Sequence, residues 1–345
     1  MRKAVLAAIL LAVLTIMLPR FAAQAAKLPQ VQTKDDEETE PVTQDEPADE
    51  EAESPQEDKT AELSDSARTV TALIGGEHCE MSLRDYLIGV VAAEMPASFE
   101  TEALTAQAIA ARTYTLYKQT VSPSQNHAED VCDDINCCKA YITEDTMALN
   151  WGEDYESYYA KISAAVDGSD GQIMTWEDEP ILAVFHSSSG GYTESSENVW
   201  GGALPYLVSV ESPETAQEVP NFVTEVKLSA EEFSAVFCEA HPEAQLEGAP
   251  EEWFSSMSYT GGGRLGSIMV GGVPVSGTEL RKLYGLRSAD IALRVINGEI
   301  SFRVVGYGHG AGMSQYGANV MAQDGADAQT ILEHYYPGAV LTELT

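Results

Sequence analysis

The chain has 345 residues, with 55 Asp and Glu against 19 Lys and Arg, a net charge of −36. So acidic a surface counts strongly against nucleic acid as a partner, because it neutralises no phosphates and releases no counterions. Hydrophobic residues make up 44% of the chain, enough for a core, and the length allows one large domain or two ordinary ones.

Met1-Arg2-Lys3 is a basic start, and Ala4 to Leu18 is apolar apart from Thr15. Pro19 and Arg20 end that run, and Ala23-Gln24-Ala25 is a small-residue site. The run is short of the ~20 residues a spanning helix needs. Residues 1–26 therefore read as a signal peptide cut after Ala25. If Arg20 snorkels and Phe21-Ala22-Ala23 extend the run, they read as an N-terminal membrane anchor. Either outcome places the remainder outside the cytoplasm, secreted or membrane-anchored. Residues 27–65 hold fifteen acids and three lysines among Pro, Thr and Gln, the composition of a solvated linker. Residues 66–345 form the folded body.

Arg68–Ile74 predicts a strand turning at Gly75-Gly76. Ser82 caps a helix with Asp85 three residues on, and Leu83, Leu87, Val90 and Glu94 share one face of it. Pro96 stops that helix. Glu94 thus falls on the apolar face of the last turn. There, desolvation and the negative helix end favour the protonated acid, the state a general acid needs. The bland alternative is a carboxylate that ends the helix and points to water. Glu102–Lys118 is apolar nearly all round, so it predicts a buried helix. It carries Gln107 and Arg112; a buried Arg must line a cleft or meet a carboxylate as an ordinary ion pair.

His127-x4-Cys132-x4-Cys137-Cys138 gathers an imidazole and three thiols, a pattern suited to zinc or to a Cys132–Cys138 disulfide. Tyr155–Val166 predicts a helix. Gln172–Thr175 and Ile181–His186 predict strands, and a glycine-rich polar loop follows from Ser187 to Glu194. Hairpins are expected through Gly271-Gly272 and from 291 to 305, with a helix over Ser276–Tyr284 between them. The irregular alternation predicts an α+β fold, mixed helices and antiparallel hairpins around a groove. A small subdomain is expected near 205–280.

Gly306 to Ala318 lacks both G-x-G-x-x-G and a P-loop Lys-Ser/Thr, so it is not a nucleotide site. Its glycines suit close approach of backbone to a bulky ligand, with His309 and Gln315 supplying hydrogen bonds. Ser187 to Ser189 beside His186 lack a nucleophile elbow, and no H-E-x-x-H is present. Trp176 and Trp200 suit either stacking on sugar faces or the core.

Four segments in order resemble the motifs of the SpoIID/LytB family. They are Leu83 to Pro96, Ala106 to Tyr114, Phe185 to Glu194 with Val199-Trp200, and Gly308 to Ala318. The resemblance implies a lytic transglycosylase that cleaves the MurNAc–GlcNAc bond of peptide-stripped peptidoglycan strands and leaves a 1,6-anhydro end. It implies a place in sporulation engulfment, with the amidase SpoIIP and the membrane protein SpoIIM as partners. By resemblance Glu94 is the catalytic acid, and Arg112 orients it or binds glycan. Gln107, His186, Ser188, Gly190, Gly191, Thr193, His309 and Gln315 would bind substrate. Some relatives hold a structural zinc with a His and two Cys after the second motif, which here implies His127, Cys132 and Cys138, with Cys137 additional. Part of the family is a non-catalytic enhancer of a cell-wall amidase, the alternative reading.

Overall fold

The computed structural model describes residues 64–344. The N-terminal segment and nearly all of the linker lie outside these residues. Among the described residues, no helix is long and apolar enough to cross a membrane.

Thr69–Ile74 (β1) and Glu77–Ser82 (β2) form an antiparallel hairpin. Gly75 and Gly76 at its tip have φ of 60° and 82°, the pair of left-handed residues a two-residue turn requires. Ser82 caps Leu83–Glu94 (α1), its hydroxyl accepting from the Asp85 N–H at 3.1 Å. Met95 is extended at φ −122° ahead of Pro96, so α1 ends at Glu94. Thr101–Thr120 (α2) is buried without a break from Leu116 back to Ala103, except for Thr105.

Val131–Cys132 (β3) adds to β1 in parallel. Glu144–Trp151 (α3), a helix the pattern does not announce, starts where the Thr143 hydroxyl accepts from the Thr146 N–H. Tyr155–Gly168 (α4) follows. Gln172–Trp176 (β4) pairs with Glu179–Pro180 (β5). Of the strand expected over 181–186, only Phe185–His186 (β6) joins a ladder. Ser196–Trp200 (α5) is a short turn of helix.

The chain then builds a second core. Val223–Ser229 (β7), Ala230–Ala240 (α6), Phe254–Tyr259 (β8), Leu265–Val270 (β9), Val273–Ser276 (β10), Gly277–Leu283 (α7), Ile291–Ile296 (β11) and Glu299–Val305 (β12) surround it. Two antiparallel sheets, β10-β9-β8 and β11-β12-β7, enclose Phe233, Phe237, Leu280 and Phe302. The stretch expected as a subdomain divides. Tyr206 and Leu207 pack in the first core, whereas the second draws on residues from Val226 through Val304.

Met313–Ser314 (β13), Gln315–Gln323 (α8), Ala328–Tyr335 (α9) and Val340–Glu343 (β14) return to the first core. There α2 is central, touching α1, α4, α8, α9 and β4. The architecture is α+β, mostly antiparallel. Besides β3 on β1, the parallel pair is β13–β6, which positions the site. It pairs Met313 with Phe185 and Ser314 with His186. Parallel neighbours need a long crossover, and the second core lies within this one.

Candidate active site

Glu94 ends α1 half-buried, in a cleft of about 400 Å³ that Lys139, His186, Arg281, Tyr307 and Gln315 also line. Its Oε1 accepts from the Ala140 N–H at 3.0 Å. Its Oε2 lies 3.5 Å from the Gln315 amide nitrogen, which is also 3.5 Å from Gln107 Oε1. The Gln107 Nε2 is buried with no partner among the described residues. Three separate helices, α1, α2 and α8, thus converge on one carboxylate.

The 138–141 segment is pressed onto α1. Tyr141 stacks on Tyr86 at 5.8 Å and 7°. A Cβ at Gly89 would come within 2.2 Å of the Tyr141 ring, so only glycine lets this segment lie there. The Lys139 amine is caged between the rings of Phe185, 3.8 Å away, and Tyr114, at 4.4 Å. Burial pushes it down to about 8, against the opposing pull of the Glu94 and Cys138 charges.

Both expected histidines line the cleft. His186 places Nε2 at 2.6 Å from the Ser189 hydroxyl and Nδ1 at 3.2 Å from the Ala311 carbonyl. His309 Nδ1 accepts from the Ala311 N–H at 3.1 Å, and its ring also bonds the Phe185 backbone. These contacts within the protein hold both rings in place at the cleft floor. Burial drives both well below the ordinary imidazole range, His309 to about 3 with help from the Lys139 and Arg281 charges. The 51%-exposed Trp200 ring lies 5.1 Å from His309, a free stacking face at the site, whereas Trp176 packs into the first core.

Several expected residues lie elsewhere. Arg112 is wholly buried and bonds Asp65 at 2.6 and 2.7 Å, with Val166 and Gln172 carbonyls taking further donors. None of these contacts involves Glu94. A guanidinium with no access to water needs a carboxylate beside it, and Asp65, placed by composition in the linker, is that carboxylate. Thr193 bonds backbone at Val208 and Val210. Ser188 forms a backbone bridge to Tyr307. Gly190 abuts Asp290, whose Oδ2 would sit 2.1 Å from an added Cβ. Gly191 accepts from the Ser212 N–H. Lys139, Arg281 and Tyr307 were not singled out; Lys139 adjoins a marked cysteine and Tyr307 lies within the marked glycine-rich segment, but Arg281 carries no local signal.

His127, Cys132, Cys137 and Cys138 bring four donor atoms within 4.8 Å of one another. All five cysteines are free thiols, so the Cys132–Cys138 disulfide is not formed. Cys138 Sγ lies 3.6 Å from His127 Nε2 and 3.9 Å from Cys137 Sγ. Tetrahedral Zn–S bonds of 2.3 Å put donors ~3.8 Å apart, so the spacing fits. His127 Nδ1 lies 2.8 Å from the Glu129 carbonyl, the outer contact that orients a metal-binding imidazole. Cys137 would be the fourth donor of a closed structural site. Burial pushes its thiol up, but hydrogen bonds from Asn126 and Ser124 outweigh this and hold it at about 6.

A family model described as stage II sporulation protein, SpoIID, matches residues 76–176. The chain is 38% identical over 262 residues to the stage II sporulation protein D of Bacillus amyloliquefaciens, covering 76% of this chain and 74% of that one. Identity to the protein of that name in Bacillus subtilis (strain 168) is 37% over 263 residues, with the same coverage. The amidase enhancer of Bacillus subtilis is 28% identical over 306 residues, 74% of this chain and 40% of that protein. The chain belongs to the SpoIID family.

Proposed function

We propose that this chain is a peptidoglycan lytic transglycosylase acting outside the cytoplasm on peptide-stripped glycan strands during sporulation engulfment. The observation that carries the reading is a lone carboxylate: among the described residues lining the cleft, Glu94 is the one acid. A glycosidase that activates water needs two carboxyl groups about 5–9.5 Å apart. A transglycosylase needs one, because the sugar's own 6-hydroxyl is the nucleophile.

Glu94 gives its proton to the glycosidic oxygen as the C1–O bond breaks. The resulting carboxylate takes the 6-hydroxyl proton as that oxygen bonds C1, closing the anhydro ring. The Ala140 N–H fixes one oxygen, leaving Oε2 toward Gln315 and the substrate. Gln107 holds Gln315 in turn. His127, Cys132, Cys137 and Cys138 would hold a structural zinc that anchors the segment bearing Lys139 and Ala140. A metal bound there would supply rigidity. An amidase such as SpoIIP would expose the substrate, and SpoIIM would tether the assembly.

The similarity to an amidase enhancer supports a second reading, a glycan-binding module that does not cut. Mass spectrometry of denuded strands treated with the whole chain separates the two. The transglycosylase yields anhydro-ended fragments that vanish in Glu94→Gln. Reducing ends point to a hydrolase, and binding without cleavage to the enhancer.

A further inference from the structure

The Glu94 cleft is lined by two cations, Lys139 and Arg281, in a protein of net charge −36. Lys139 is committed, caged by two rings beside Glu94. Arg281 is not. It projects from α7 of the second core, partly buried, and makes no ion pair among the described residues. Burial holds it below the ordinary guanidinium value. Arg84, Arg112 and Lys227, by contrast, are paired with Asp167, Asp65 and Glu299. The Arg281 charge is felt by both His186 and His309, so it acts into the cleft floor. Arg287 stacks on Tyr307 at 4.0 Å, with a buried Nε that has no partner among the described residues.

A partly desolvated guanidinium without a counter-charge is unfavourable unless a ligand completes it. Its planar fork matches a carboxylate in two parallel hydrogen bonds. A glycan strand offers one such group. The 3-O-lactyl arm of each muramic residue ends in a carboxylate when the stem peptide is gone, and in a neutral amide while the peptide is attached. We propose that Arg281 receives the free lactyl carboxylate and thereby makes the cleft select peptide-stripped strands. This assignment rests on the transglycosylase reading. It gives the second core a recognition task and leaves the chemistry to the first.

The test compares denuded strands with the same strands whose lactyl carboxyls have been converted to methylamides. Losing a hydrogen bond between charged groups costs roughly 10- to 100-fold in affinity. The wild-type chain should favour the carboxylate strand by that factor in kcat/KM, chiefly through KM. Arg281→Gln should bring the ratio close to one, and Arg281→Lys should leave it intermediate. A ratio is insensitive to the fraction of correctly folded protein. A wild-type ratio of one, or a ratio preserved in Arg281→Gln, overturns the proposal. Calorimetric binding of both strands to Glu94→Gln protein reports the same preference without turnover. If the wild-type chain cleaves neither strand, the transglycosylase reading fails, and the binding ratio still decides the role of Arg281.

Discussion

The core around α2 and the core around Phe233 are built from different material. In the first, Ala103, Ala106, Ala108, Ala110 and Ala111 let α1, α4, α8 and α9 approach α2 closely. In the second, Phe233 stacks on Phe237 and Tyr284 at 5.6 and 4.9 Å, and Phe302 lies alongside at 6.3 Å. The helical core presents Glu94, Gln107 and Gln315 to one another; the aromatic core presents Arg281. Proton transfer tolerates little misplacement, and small side chains around a central helix fix several elements at once. Reading a charge tolerates more, and a separate unit forming one wall of a cleft is enough. Damage to the first core should therefore lower kcat, and damage at the second core's wall should raise KM.

Glu94→Gln tests that division most severely. Removing a general acid–base group costs typically 10²–10⁴ in rate. We expect a kcat loss of that order with KM and melting temperature nearly unchanged. A kcat within tenfold of wild type would remove Glu94 from the mechanism. Asp65→Ala should come next, acting on stability. It strands Arg112 as a buried, unpaired charge, and breaking such a pair costs about 3–5 kcal/mol. Chemical denaturation should show that loss. A change under 1 kcal/mol would mean that Arg112 finds water or another acid. A chain starting at residue 66 should behave like Asp65→Ala.

Metal removal should have a smaller but specific effect. Elemental analysis is expected to find one zinc per chain, and a chelator should lower both melting temperature and kcat. The link to kcat is the short run from Cys138 to Ala140, whose N–H bonds Glu94. Cys137→Ser should weaken metal retention, because Cys137 is the fourth donor in the cluster. A chain with no zinc and unchanged activity after chelation would reduce the cluster to a set of free thiols.

Much of the first core was legible because its signals are local. The Leu83, Leu87, Val90, Glu94 stripe and the Pro96 stop match a helix that ends at Glu94. The Ser82 cap and the glycine turns at 75–76 and 271–272 are likewise short-range chemistry. What was not legible is pairing at long range. A buried Arg announces that it needs an acid but not which one, and composition placed Asp65 in the linker. The parallel β6–β13 bridge leaves no turn signature, since the second core intervenes. Polar loops with histidines suggest ligand contacts, yet whether an imidazole faces substrate or a carbonyl depends on the tertiary neighbours. Arg281 lies on an ordinary helix, and only the closed fold brings it to Glu94.

The last effect expected is a pH dependence of stability with opposed contributions from His309 and Asp290. His309 is held at about 3 by burial and by Lys139 and Arg281, though one part of its ring stays open to the cleft. Below about pH 6.5 the unfolded chain binds a proton there that the folded chain does not. Stability is therefore full above 6.5 and falls as pH drops toward 3, by at most about 1.4 kcal/mol per unit. Cleft water at the open part of the ring reduces that slope. Asp290, packed against Gly190, is raised to about 6 by burial despite Arg264 and Arg303. Between about pH 3.8 and 6 it keeps a proton that the unfolded chain has lost, so its contribution declines as pH rises and is flat above 6. His186, depressed in the same direction as His309, adds to the acid-side loss. Melting temperatures from pH 4 to 8 should thus fall on the acid side. His309→Gln should flatten that fall, and Asp290→Asn should steepen it. Identical profiles in both variants would mean that solvent reaches these groups freely and that Asp290 is held less tightly than its packing on Gly190 implies.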